Sequence, residues 1–128
     1  MPHKILVADD DILVLDALRE LLVADGYEVT TATRGREALE AMERQRFDLV
    51  VLDVVMPKMT GFEVCRQIRA WDDERSRVKI VMLTAKTDPR DLEIGEEAGC
   101  DLYLTKPIDP GKLKELIRGA LGDPPQKP

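Results

Sequence analysis

Hydrophobic and polar positions along this chain switch repeatedly between two periods. Ile5-Leu-Val-Ala8, Leu49-Val-Val-Leu-Asp53, Lys79-Ile-Val-Met-Leu-Thr84 and Leu102-Tyr-Leu-Thr105 are short, nearly continuous apolar runs. Runs of this length read as strands, and the unbroken ones as strands covered on both faces. Glu28 to Ala32, with Val29 and Thr30, reads as a further short strand. Between the strands the apolar positions recur at helical spacing. Ile12 to Asp25 places Leu15, Leu18 and Leu22 on one face and is stopped by Gly26. Gly35 to Arg44 turns Ala38, Leu39 and Met42 inward. Thr60 caps a helix whose apolar side is Val64, Cys65 and Ile68. Pro89 to Ala98 has proline in its first turn and Gly99 at its end. Pro110 to Leu121 turns Leu113, Leu116, Ile117 and Leu121 inward.

Five strand-helix units of this size predict an α/β fold, a parallel sheet with helices on both faces and right-handed crossovers. The 128 residues fit one domain. We expect it to span 1–122, with 123–128 (Asp-Pro-Pro-Gln-Lys-Pro) as a Pro-rich tail or truncated linker. A net charge of −6 argues against direct nucleic-acid binding or an anionic membrane surface, both of which need a basic footprint. No apolar run approaches the roughly 20 residues of a membrane span, and Ile5 to Ala8 is too short for a signal peptide. Cys65 and Cys100 form no metal or disulfide pattern and read as reduced thiols of a cytoplasmic protein.

The chemistry gathers at strand ends. Asp9, Asp10 and Asp11 follow the first strand, Asp53 ends the third, Thr84 the fourth, and Thr105-Lys106-Pro107 follows the fifth. Open α/β sheets bind their ligands outside the carboxyl ends of their strands. Asp53 could instead lead a helix as a cap, but Val54, Val55 and Met56 intervene before the Pro57–Gly61 turn. Asp11 is expected to cap the helix from Ile12. If the first and third strands are neighbours, Asp9, Asp10 and Asp53 converge. Carboxylates that close repel unless a cation joins them, and Mg²⁺ suits a site of few carboxylates plus water. A hydroxyl (Thr84) and an ammonium (Lys106) facing that cluster make a phosphoryl pocket. Lys106-Pro107 could adopt a cis peptide bond.

In order and spacing these residues resemble the receiver domain of bacterial two-component response regulators, close in pattern to the chemotaxis regulators. The matching pieces are Ile5-Leu-Val-Ala-Asp-Asp-Asp11, Asp53 with Met56-Pro57 and Gly61, Thr84-Ala85, and Lys106-Pro107. The resemblance implies a doubly wound, flavodoxin-like (βα)5 fold with strand order 2-1-3-4-5. It implies that Asp53 accepts a phosphoryl group from a histidine kinase or phosphotransfer protein. Asp9, Asp10, Asp53 and the backbone carbonyl of Val55 would hold Mg²⁺. Thr84 and Lys106 would contact the phosphoryl oxygens, and Tyr103 with Thr84 would form a conformational switch. Val55 and Lys86 would set phosphoryl lifetime. The signal would pass to an output domain or downstream protein. A second copy could dock through the fourth helix, fifth strand and fifth helix, around Arg90, Glu93, Glu97, Lys112 and Lys114. The chain would then be a phosphoacceptor rather than an enzyme with an external substrate. Thr60 and Ile108 depart from the family's frequent Asp and Phe.

Two rival readings fit less of the chain. Asp9-Asp10-Asp11 satisfies the Asp-x-Asp of haloacid-dehalogenase-type phosphatases, with Asp9 as nucleophile, but no late acidic pair follows and Asp53 goes unexplained. A flavin-binding flavodoxin-like module would need Ser, Thr and Gly after the first strand, where three aspartates would repel phosphate. A pseudo-receiver serving only as an interaction module would not need every residue of the pocket. His3, the sole histidine, reads as a surface residue and not a phosphorelay histidine. Trp71 is expected to pack beside the third helix, and Cys65 in the core.

Overall fold

Each predicted strand and helix forms, and the polar residues that flank them supply the stops. The computed structural model describes residues 2–85 and 89–122. In chain order the elements are β1 (Lys4–Ala8), α1 (Ile12–Ala24), β2 (Glu28–Ala32), α2 (Gly35–Arg44), β3 (Leu49–Asp53), α3 (Gly61–Arg69), β4 (Lys79–Thr84), α4 (Pro89–Ala98), β5 (Leu102–Thr105) and α5 (Pro110–Leu121). The five strands form one parallel sheet in the order β2-β1-β3-β4-β5. The order reverses at β1 and β3, the topological switch point of such sheets.

The alternation of side chains along each strand divides the interior into two cores that share no residue. Leu6, Ala8, Val50, Leu52, Ile80 and Met82 face α2, α3 and α4, where Met42, Val64, Cys65 and Ile68 meet them. Ile5, Val7, Leu49, Val51, Val81 and Leu83 face α1 and α5, against Leu15, Leu18, Leu22, Leu113 and Ile117. Leu39, Leu116 and Leu121 turn inward as expected but remain half-buried, because they lie at the margins of their helical faces.

Caps fix where helices begin. Asp11 accepts hydrogen bonds from the N–H groups of Leu13 (3.0 Å) and Val14 (3.4 Å) at the start of α1. Thr60 accepts from Glu63 N–H at 3.2 Å, and Glu63 accepts in return from Thr60 N–H at 3.3 Å, closing a capping box. Asp109 accepts from Gly111 N–H at 2.9 Å before α5. The expected α1 boundary moves by one residue, since Asp25 is its cap. β1 starts one residue earlier than the apolar run, because Lys4 pairs with Glu28 and donates its N–H to Asp48 Oδ2 at 2.7 Å.

One element has no apolar signature. A 3₁₀ turn, Glu74–Arg77, is held by Asp73, which accepts from Arg75 N–H at 2.9 Å. Trp71 packs against the first core, with the Arg75 guanidinium 4.4 Å above its ring. Arg69, the last residue of α3, ties this corner together. It donates to the carbonyls of Gly99 (2.8 Å), Ser76 (2.6 Å) and Val78 (2.7 Å) and to Asp101 Oδ2 (2.8 Å). Asp101 Oδ2 also accepts Ile80 N–H at 2.8 Å.

Candidate functional site

Parallel strands deliver all their carboxyl ends to one edge. Because β1 and β3 are neighbours, Asp9 and Asp10 after β1 meet Asp53 at the end of β3. One carboxylate oxygen from each lies within 4.8 Å of the others. β4 brings Thr84 to the same edge, and Lys106 follows β5, its N–H donating to Thr84 O at 2.8 Å. The Lys106 Nζ stands 3.0 Å from Asp9 Oδ2 and 3.3 Å from Asp53 Oδ1. The Lys106–Pro107 peptide bond is cis. Apart from Tyr27 and Cys65, the buried polar side chains among the described residues are Asp9, Asp53 and Thr84, all at this edge. Asp10 is exposed.

The backbone around Asp53 is tightly held. Val54 N–H donates to Leu83 O, and Gly61 N–H donates to Val54 O, both at 2.9 Å. α3 approaches so closely that a Cβ on Gly61 would lie 2.3 Å from the Asp53 carbonyl oxygen, so only glycine fits there. Lys58, in the intervening loop, takes the left-handed conformation with φ 69°. Val55 is 71% exposed beside Asp53. Lys86 lies outside the described residues, as do residues 123–128.

The site is electrostatically incomplete. Burial, and then the adjacent Asp9 carboxylate, push the Asp53 carboxyl up to about 6, and Lys106 only partly offsets them. For Lys106 burial is the largest single influence and disfavours its charge. The two carboxylates together outweigh it and hold its pKa above the ordinary lysine value. Asp9 Oδ2 is buried and receives the ammonium without an aligned hydrogen bond. Three clustered carboxylates are thus balanced by one ammonium, which pairs with Asp9 and Asp53 only. Oxygen donors in that number, with a surplus of negative charge, suit a hard divalent cation.

Tyr103 lies on β5 opposite Met82, and Thr84 is two residues farther along β4, so the two point to the same face of the sheet. The half-buried Tyr103 donates its hydroxyl to Leu92 O in α4 at 2.7 Å. Burial, followed by the neighbouring Cys100, raises its pKa. Cys65 donates its thiol to Ala98 O at 3.3 Å, and burial pushes that thiol up to about 11. Arg90, Glu93, Glu97 and Lys112 are exposed on α4 and α5, and Lys114 is half-buried. Sequence reasoning passed over Gly95, which packs under Tyr103, and the Arg69–Asp101 pair. A glycine in the interior of the helical pattern Pro89 to Ala98 is the signal that could have found the first. The partners of Arg69 are mostly backbone carbonyls, which leave no trace in residue types.

Comparison with known proteins agrees with this geometry. Residues 5–118 match the family described as "Response regulator receiver domain". The chain is 41% identical over 121 residues to the alkaline phosphatase synthesis transcriptional regulatory protein PhoP of Bacillus subtilis, covering 94% of this chain and 49% of that protein. It spans about half the length of the curated relatives it matches. Among solved structures it is similar to the Vibrio cholerae chemotaxis protein CheY4, with TM-score 0.89 and 36% identity over 94% of this chain and all of that one. The receiver domain of a sensor histidine kinase from Pseudomonas aeruginosa, described with a magnesium ion coordinated in its active-site cleft, matches with TM-score 0.87 and 31% identity, covering 95% of this chain and 99% of that one. No helix among the described residues is long and apolar enough to cross a membrane.

Proposed function

The chain belongs to the response regulator receiver family of two-component signalling, and from that premise we propose that Asp53 is its phosphoacceptor. The observation that carries this reading is the near-complete burial of Asp53 at the switch point of the sheet, with Lys106 at 3.3 Å and Asp9 and Asp10 beside it. The donor is a phosphohistidine on a histidine kinase or phosphotransfer protein. An Asp53 oxygen attacks phosphorus, the P–N bond breaks, a P–O bond forms, and an acyl phosphate results. Charge in the transition state spreads over the three equatorial phosphoryl oxygens. The Lys106 ammonium and the Thr84 hydroxyl stabilise that charge from β5 and β4. Asp9, Asp10, Asp53 and the Val55 backbone carbonyl would hold Mg²⁺, which when bound neutralises the phosphoryl oxygens and the carboxylate cluster.

The donor needs a seat beside the acceptor. An apolar groove of about 570 Å³ between α1 and the loop before α5 is lined by Val14, Ala17, Leu21, Pro107 and Ile108, and also by Lys106. Ile12 and Leu13, at the start of the same helix, are 60% and 82% exposed. A protein that presents its histidine to Asp53 would pack an apolar helix face there. In this reading Val55 and Lys86 tune the lifetime of the phosphoryl group. The phosphorylated state is relayed through Thr84 and Tyr103 to the surface of α4, β5 and α5, which engages an output domain, a downstream protein or a second copy. The setting is the cytoplasm, where the donor's kinase domain works.

Incubation with acetyl phosphate and Mg²⁺, followed by intact-mass measurement, tests the assignment. Wild type should gain one phosphoryl group, and Asp53→Asn should gain none. Labelling that persists in Asp53→Asn but disappears in Asp9→Asn would overturn it in favour of a phosphatase-type nucleophile at Asp9.

A further inference from the structure

Gly95 stands in the interior of α4, where glycine is among the poorest helix formers. Its backbone does not call for glycine: the described glycines with positive φ are Gly26, Gly99 and Gly122. What calls for it is the phenol of Tyr103. A Cβ at Gly95 would lie 1.6 Å from Tyr103 Oη, 2.6 Å from Cζ and 3.0 Å from Cε1. The same hydroxyl donates to the carbonyl of Leu92, three residues earlier and therefore on the same helix face. The missing side chain is thus a notch in α4, and the tyrosine ring fills it.

We propose that Gly95 is a positioning residue that seats Tyr103 on α4, so that α4 and β5 move as one unit while the ring is docked. The atoms that a Cβ would strike belong to the end of a side chain that can rotate. An alanine would therefore evict the ring and break its bond to Leu92 O, leaving the helix backbone in place. The seat also lies on the face of the sheet that carries Thr84. A change at the strand ends can therefore reach α4 through this one ring. The link to phosphorylation rests on Asp53 being the acceptor; the seat itself does not.

The test is a substitution series at Gly95. Gly95→Ala should lower the melting temperature of wild type, lower it less with Tyr103→Phe, and raise it with Tyr103→Ala, where only helix propensity remains. The Phe and Ala backgrounds give the trend even if Gly95→Ala alone folds poorly. An equal change in all three backgrounds would overturn the seat. A second arm follows the Tyr103 ring resonances with and without Mg²⁺ and beryllofluoride, a phosphoryl mimic. Wild type should shift on addition. Gly95→Ala should start from displaced resonances and show only a residual response. Wild-type resting resonances and a full response in Gly95→Ala would overturn the proposal. Silence in wild type would count against the Asp53 reading, while the melting series still decides the seat.

Discussion

Two charged clusters sit at opposite ends of the same sheet, and they are built on opposite terms. At the amino ends of β4 and β5, the Arg69 guanidinium donates to three carbonyls and to Asp101, whose same oxygen also accepts Ile80 N–H. At the carboxyl ends, three aspartates gather while one lysine reaches only Asp9 and Asp53, and Asp9 keeps a buried oxygen without an aligned hydrogen bond. The first cluster closes on itself and holds α3, the 3₁₀ turn and β5 together. The second is left open to a ligand. A filled hydrogen-bond inventory marks structure here, and a deficit marks function.

Removing a partner should therefore have opposite signs at the two ends. Arg69→Ala strips hydrogen bonds from three carbonyls and leaves Asp101 Oδ2 with Ile80 N–H alone, and should cost about 3 kcal/mol of stability. Denaturant unfolding measures it, and a loss within error of zero would show the cluster to be ornamental. Labelling by acetyl phosphate in the folded protein should survive the change.

Asp53→Asn should do the reverse, stabilising the metal-free protein by about 2–3 kcal/mol at pH 7. The folded carboxyl titrates at about 6 against an ordinary value of 3.8. Between those values the folded state therefore binds more protons than the unfolded one, and wild-type stability falls as pH rises through the window. The advantage of asparagine should accordingly fade as pH drops towards about 4. Unfolding in chelator at several pH values checks this, and an unchanged difference across the series would exclude the burial argument. The smallest effect is expected at Asp10, the exposed member of the proposed metal site. Asp10→Asn should weaken Mg²⁺ binding by at least about tenfold, near 1.4 kcal/mol, since one charged oxygen is lost from a hard ion. An unaltered titration would remove Asp10 from the metal site.

Sequence pattern reached the strands and helices because each is a local periodicity closed by a cap or a breaker. It also reached the edge where Asp9, Asp10, Asp53, Thr84 and Lys106 lie, because parallel topology sends strand ends to one place. It did not reach the Glu74–Arg77 turn, whose four polar residues have no apolar period and depend on the Asp73 side chain. Nor did it reach Arg69, whose carbonyl partners lie 7 to 30 residues away. Gly95 was invisible for a related reason. Its meaning is the shape it leaves for Tyr103, a residue on another element.

The two cores that the sheet keeps apart carry a consequence for how this domain can change over time. The groove proposed as the donor's seat belongs to the α1 and α5 layer, whereas the proposed Tyr103 seat belongs to the layer of α2, α3 and α4. Substitutions in separate layers with no shared partners have nearly additive effects. A lineage can therefore rewrite which donor it hears without rewriting what it says in reply. Only the few residues at the strand ends belong to both conversations, and those are the ones with the least freedom to drift.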